Sequence, residues 1–295
     1  MSAPEAQLWP LLTGALATRT LALAVDLGVP EALADGPRSF DDPLARLLRA
    51  LATEGVFAEG PRGTFRHTDA SRLLLEPGWA ELAHFHGGAW YRAAGELDVS
   101  GEAAFPRTFG TDFWTWLAER PNERAAFDRA MVEGTERRVA RLDSYPWRGD
   151  ETVVDVGGGN GSLLLGLLER RPGLRGIVFD LPETVVREPG DRCEFVGGSF
   201  FEAVPAGDVH VLCTVLHDWD DEHAAAILRT VRAAASPQGV LLLVEQFRPG
   251  SEWLDVLVLT LYAARERDEP AWRELLGETG WAPEFTEHLI VCRPC

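Results

Sequence analysis

The 295-residue chain contains no lysine; all 28 of its basic side chains are arginine, set against 46 aspartates and glutamates. That absence reads as the codon usage of a GC-rich genome, and it leaves arginine to fill every basic side-chain role. The formal net charge of −18 argues against a nucleic-acid partner, which needs a basic face to displace counterions. It argues equally against an anionic membrane surface. Cysteine is scarce: Cys193, Cys213, Cys292 and Cys295 are the four. Cys292 and Cys295 form a CxxC at the end of the chain, with no second ligand pair spaced for zinc. Ordinary reduced thiols in a cytoplasmic protein are the expectation. No apolar run reaches the roughly 18 residues of a membrane-crossing helix, and no charged–apolar–small leader opens the sequence. Repeats and low-complexity tracts are absent as well.

What is present is a chain whose texture changes twice, giving expected divisions at 1–78, 79–147 and 148–295. In the first, Leu8, Leu11, Leu12, Ala15, Leu16 and Leu21 recur at helical spacing. That helix stops at Gly28-Val29-Pro30. A second helix spans Asp42 to Leu51, and Gly60, Pro61 and Gly63 form a hairpin tip between Val56-Phe57 and Phe65–His67. Helix, helix and hairpin suggest a winged-helix-like, mostly helical domain. The apolar stripe of its first helix suits a second subunit better than water. The middle stretch is helical and dense in aromatics, among them Trp90, Trp114 and Phe127. Some of these could wall a pocket for a planar substrate.

From Glu151 strands alternate with helices: strands at Thr152–Val156, Gly176–Phe179, Phe195–Val196, Val209–Thr214 and Val240–Glu245. Helices are expected at Ser162–Arg170, near Glu183–Val186, at Asp221–Ala235 and at Trp272–Gly280. A closing strand is expected within Glu284–Cys292. The pattern implies a doubly wound, Rossmann-like α/β domain with a parallel sheet covered on both faces.

The stretch Val153-Val154-Asp155-Val156-Gly157-Gly158-Gly159-Asn160-Gly161-Ser162 runs from apolar strand through glycine turn into helix. Gly157, Gly159 and Gly161 let the backbone pass close to a ligand. The third glycine arrives one residue early for a dinucleotide loop, and Ser162 stands where such a loop has Gly or Ala. Asp155, inside the strand, suits a ligand with a cationic amino group better than a pyrophosphate. S-adenosylmethionine (SAM) has an ammonium, a sulfonium and no phosphate. About 20 residues on, Asp180 in Phe179-Asp180-Leu181-Pro182 is placed to accept hydrogen bonds from ribose hydroxyls; a helix cap is the plainer alternative. His217 in Leu216-His217-Asp218-Trp219-Asp220-Asp221 follows a strand that should lie beside the glycine loop. An imidazole there suits a general base for a phenol. Glu245, ending the next strand, is the natural carboxylate to orient it, whereas Asp220 and Asp221 read as the acidic start of a helix.

Over nearly its whole length the sequence resembles the SAM-dependent O-methyltransferases, the family that includes plant caffeate and flavonoid enzymes and bacterial natural-product tailoring enzymes. VDVGGGNG resembles the family's SAM loop, FDLP its ribose acid, and LHDWDDE the segment with its catalytic base. The resemblance implies His217 as base, with Glu245 and Glu266 as helper glutamates. It also implies SAM contacts from Asp155 and the glycines, from Asp180 and Leu181, and from Ser199, Phe200 and Cys213. Phe127 and Met131 would be presented toward the substrate, with Trp90, Trp114 and Asp218 as further substrate candidates. It implies no metal, and a homodimer formed through the N-terminal helices. The chain departs from the family pattern at Ser199, which replaces an adenine-binding acid, and at Cys213, where many members carry a cation. It departs again at Ala263-Ala264, which replace a glycine pair, and in a shortened winged helix after Ser39. These departures leave open a SAM-binding relative that has left methyl transfer for hydroxylation, decarboxylation or cyclisation. A ligand-sensing winged-helix regulator is the alternative from another class, and NAD-dependent oxidoreduction is disfavoured by the glycine spacing.

Overall fold

The computed structural model describes residues 2–185, 190–246 and 249–295. The chain forms two compact units, one of Met1–Asp98 with Ala104–Glu133 and one of Val99–Ala103 with Gly134–Cys295.

The first unit contains α1 (Ala3–Asp26), α2 (Val29–Ala32), β1 (Arg38–Ser39), α3 (Leu44–Thr53), β2 (Phe57–Glu59), β3 (Thr64–His67) and α4 (Asp69–Arg72). Helices α5 (Trp79–Gly87), α6 (Ala89–Ala94), α7 (Ala104–Phe109), α8 (Phe113–Ala118) and α9 (Pro121–Ala130) complete it. The hairpin β2–β3 forms as its turn residues imply, and β1 adds a third strand that pattern alone did not reveal. Leu48, Leu51, Phe57 and Phe65 close the small core beneath it. Helix α1 ends where Gly28 takes a left-handed backbone, φ 70°. Its leucines Leu8, Leu11, Leu12 and Leu16 are 57–71% exposed. An 18-residue window of this 24-residue helix has a mean hydropathy of 1.4, enough by length and composition to cross a membrane, although Arg19 and Thr13, Thr18 and Thr20 interrupt its apolar run.

The second unit begins with α10 (Thr135–Asp143) and β4 (Thr152–Val156), followed by α11 (Ser162–Arg170), β5 (Arg175–Asp180), β6 (Cys193–Gly197) and β7 (Val209–Cys213). It continues through α12 (Asp221–Ala234), β8 (Val240–Val244), α13 (Glu252–Tyr262), α14 (Glu269–Glu278), β9 (Trp281–Phe285) and β10 (Ile290–Pro294). Its seven-stranded sheet runs β6-β5-β4-β7-β8-β10-β9. The central strands are parallel and almost wholly apolar because both faces are covered. Helix α12 presents Ala224, Ile227, Leu228 and Val231 to one face, while Val139, Leu142, Leu164 and Leu167 of α10 and α11 pack on the other.

Three expectations change here. The sheet is mixed, because β10 lies antiparallel between β8 and β9. The segment 252–262 is a helix that was not anticipated. The helix expected near Glu183–Val186 is a turn over residues 182–184, and Val186 lies outside the described residues.

Candidate active site

Parallel strands deliver their carboxyl ends to one edge of the sheet. At that edge β4 leads into the glycine turn, β5 ends at Asp180, β7 leads to His217, and β8 is followed by Glu245. The register pairs Asp155 with Val178 on one side and with Val211 on the other, so its carboxylate lies within the central strands.

Asp155 is buried, and its Oδ2 has no hydrogen-bond partner among the described residues. Burial, with the nearby charge of Asp180, pushes its pKa up to about 7. A buried carboxylate left unpaired is costly, and this one marks a place for a cationic donor group. The turn above it is held by backbone bonds: Gly157 N–H donates to Phe179 O at 2.8 Å. Asp180 accepts from Gly159 N–H at 2.8 Å and from Leu181 N–H at 2.7 Å, so its carboxylate braces the loop. The glycines differ in what surrounds them. A Cβ at Gly157 would lie 2.9 Å from Val215 Cγ2 and 3.8 Å from Phe200 Cε1. A Cβ at Gly159 would meet nothing within 4 Å.

Phe200 packs edge-on to Phe201 and Trp219, at 5.0 and 5.9 Å between ring centres. Ser199 Oγ accepts from Phe201 N–H at 3.2 Å, within its own turn. Cys213 ends β7; burial pushes its thiol up to about 12, so it is a neutral thiol and no nucleophile.

His217 sits in a single helical turn, Leu216–Asp218. Its Nδ1 lies 2.6 Å from Glu266 Oε1 and its Nε2 lies 3.4 Å from Asp218 Oδ1. Burial alone would lower its pKa, but Asp218, the hydrogen bond to Glu266 and the charge of Glu245 together raise it to about 10. Asp218 in turn is pushed up to about 7, chiefly by burial. Glu245 does something other than orient the imidazole: its Oε1 accepts from Val215 and Leu216 N–H at 3.3 and 3.2 Å, bracing the turn before the histidine. Its Oε2 has no partner among the described residues, and burial raises its pKa. The carboxylate on the imidazole is therefore Glu266, 49 residues away in sequence.

Residues that pattern did not single out hold this cluster. Arg267 bonds the His217 turn, Asp255 accepts from Glu266 N–H at 2.7 Å, and Arg141 donates to Glu245 O at 2.9 Å. Arg267 was visible only as the neighbour of Glu266. Thr214, just before the turn, adopts φ 52°, a rare conformation for threonine.

The aromatic candidates lie in the first unit. Trp90 and Phe127 are buried and both contact Phe85, with ring centres 5.3 and 5.9 Å away. Trp114 stands 5.7 Å from Phe127, edge to face. Met131, just after α9, is 40% exposed. Among the described residues no group of His, Cys, Asp and Glu is arranged to hold a metal ion.

The unpaired Asp155 oxygen, the open Gly159 and the braced Asp180 suit a nucleoside ligand that carries an ammonium and no phosphate, beside a histidine set among carboxylates. Comparison with known proteins agrees. The O-methyltransferase domain family matches residues 90–282. A phenazine O-methyltransferase from Lysobacter antibioticus is 36% identical, over 93% of this chain and 90% of that protein. A mitomycin biosynthesis 6-O-methyltransferase from Streptomyces lavendulae is also 36% identical, over 95% and 89%. Among solved structures, an O-methyltransferase from neocarzinostatin biosynthesis, in complex with SAM and 2-hydroxy-5-methyl naphthoic acid, superposes with a TM-score of 0.83. It is 29% identical, with 95% of this chain and 96% of that one covered. The chain belongs to the SAM-dependent O-methyltransferase family, as an enzyme of the natural-product tailoring type.

Proposed function

We propose that the enzyme methylates a phenolic hydroxyl of a small aromatic or polyketide-like natural product, with His217 as general base and without a metal ion. The observation that carries this reading is the imidazole of His217 held by Glu266 on Nδ1 and flanked by Asp218 on the other side. A carboxylate on Nδ1 keeps a proton there, and Nε2 accepts one from the substrate once the ring, raised to about 10 by these acids, has given up its second proton. The surrounding acids then stabilise the imidazolium that results. Asp155 would receive the ammonium of SAM, Asp180 its ribose, and Phe200 would lie against its adenine. SAM supplies a methyl group on a sulfonium, open to in-line displacement by the deprotonated oxygen. Aligning the acceptor oxygen is the larger part of what the protein contributes.

A direct test incubates the purified protein with SAM and 1,4-dihydroxy-2-naphthoic acid, with excess EDTA, and locates the methyl group by mass and NMR. That compound is named with a solved relative 29% identical to this chain. O-methylation unaffected by EDTA is expected; transfer to carbon, or transfer abolished by EDTA, contradicts the reading. The exposed leucines of α1 are proposed to pack against a second copy of the chain. Sedimentation of the Leu12→Arg, Leu16→Arg double variant as a monomer, and of the wild type as a dimer, is the expected result.

A further inference from the structure

Two consecutive side chains, Glu266 and Arg267, grip the turn that carries His217, and Arg265 before them pairs with Asp221 at the start of α12. Glu266 takes the imidazole Nδ1. Arg267 reaches the backbone on both sides of the pair His217-Asp218: Nη1 donates to Leu216 O at 2.8 Å and Nη2 to Trp219 O at 2.9 Å. Its Nε donates to Asp221 Oδ1 at 3.0 Å, and Arg265 pairs with the other oxygen of that carboxylate. The Arg267 side chain is fully buried, with its guanidinium 5.3 Å from the ring centre of Trp272.

Burying a guanidinium is costly unless its donors are used, and an apolar side chain of similar size would fill the volume at less cost. What the planar fork adds is a simultaneous hold on two carbonyls at fixed spacing. Those two carbonyls bracket the two residues that meet at 3.4 Å, His217 Nε2 and Asp218 Oδ1.

We propose that Arg267 is a positioning residue for methyl transfer: it clamps the turn from Leu216 to Trp219 so that the imidazole stays on Glu266 and opposite Asp218. The proposal rests on His217 being the base. Glu245, bonded to the amide groups of Val215 and Leu216, closes the same turn from its other end. The turn is therefore held at its amides by one acid and at its carbonyls by one arginine. Glu266, the immediate neighbour of Arg267, cannot keep its place on Nδ1 if the clamp slips.

The test is Arg267→Lys, which keeps the charge but cannot reach both carbonyls. Three readouts are taken: SAM affinity by calorimetry, the pH titration of the His217 ring by nitrogen NMR (assigned against His217→Gln), and kcat and KM with 1,4-dihydroxy-2-naphthoic acid. SAM affinity should stay within about twofold. The value of kcat should fall about a hundredfold with KM little changed, as a displaced catalytic group requires, and the ring should titrate at lower pH. In Arg267→Gly, added guanidinium ion should restore part of kcat. Wild-type kcat and an unchanged titration in Arg267→Lys overturn the proposal. If the wild type methylates nothing, the base assignment loses its support, while the ring titration still reports whether the clamp acts. If Arg267→Lys does not fold, Asp221→Ala replaces it; its exposed carboxylate can be removed without emptying the core. A shifted ring titration with a severalfold lower kcat supports the clamp, and no change in either refutes it.

Discussion

Two glycines of the same turn should fail in different ways when each is replaced by alanine. Gly161 has φ 78°, and a Cβ there would lie 3.0 Å from Phe195 Cε1 and Cζ and from Val178 Cγ2. A left-handed backbone costs a non-glycine residue about 1–2 kcal/mol, and forcing a methyl into packed side chains costs about 1–3 kcal/mol. Gly161→Ala should therefore destabilise its unit by roughly 2–5 kcal/mol. Gly159 has φ 57° and nothing within 4 Å of its Cβ position, so only the backbone cost of about 1–2 kcal/mol applies. Its methyl would project instead into the space assigned to SAM. Thermal unfolding with and without SAM separates the two effects. At a concentration about 100 times the wild-type Kd, SAM should stabilise the wild type by about 2.7 kcal/mol. If Gly159→Ala raises Kd tenfold, the same concentration should add only about 1.4 kcal/mol. Full SAM stabilisation of Gly159→Ala, or a Gly161→Ala protein as stable as the wild type, would refute the reasoning.

Other outcomes follow from the charged groups. Glu266→Gln removes a charge that raises the His217 pKa, so the acid limb of the rate profile should move to lower pH. It also removes a charge-assisted bond of about 1.5–3 kcal/mol, which should lower the maximal rate by about 10- to 150-fold. Asp155 is protonated more tightly in the folded chain, at about 7 against its ordinary 3.8. Its contribution to stability is therefore present below pH 3.8 and lost as pH rises through about 7. SAM, whose ammonium favours the ionised carboxylate, should bind more tightly at pH 8 than at pH 6, each taken as about one unit from that value. Calorimetry of Asp155→Asn should show weaker binding and no such slope.

The order of strands and helices in the second unit was legible because β4, β7 and β8 are short apolar runs between turn residues and the helices carry their apolar faces at regular spacing. The reversed β10 was not. A strand's direction is decided by its connection, here the tight turn in which Thr286 and Leu289 bond each other, and Pro283 blurs the strand before it. Helix α13 was missed because Trp253-Leu254-Asp255-Val256-Leu257-Val258 is apolar on nearly every side, and Trp253 is left 78% exposed. Asp155 inside its strand, Asp180 at the end of the next and His217 just after a third could be placed from sequence alone. Which glutamate touches the imidazole could not: Glu245 is near in strand order, but the contact is made by Glu266 from a separate segment. Arg267 has a common residue type and no spacing signal; only the fold shows that it is buried against two carbonyls.

The most direct measurement compares the initial rate of methyl transfer from SAM to a phenolic acceptor in the wild type and in His217→Ala, with SAM affinity measured on both proteins. A loss of about 100- to 10,000-fold in rate, the usual contribution of a general base, with SAM binding retained, is the expected result. A His217→Ala enzyme that binds SAM and methylates at the wild-type rate would contradict the account.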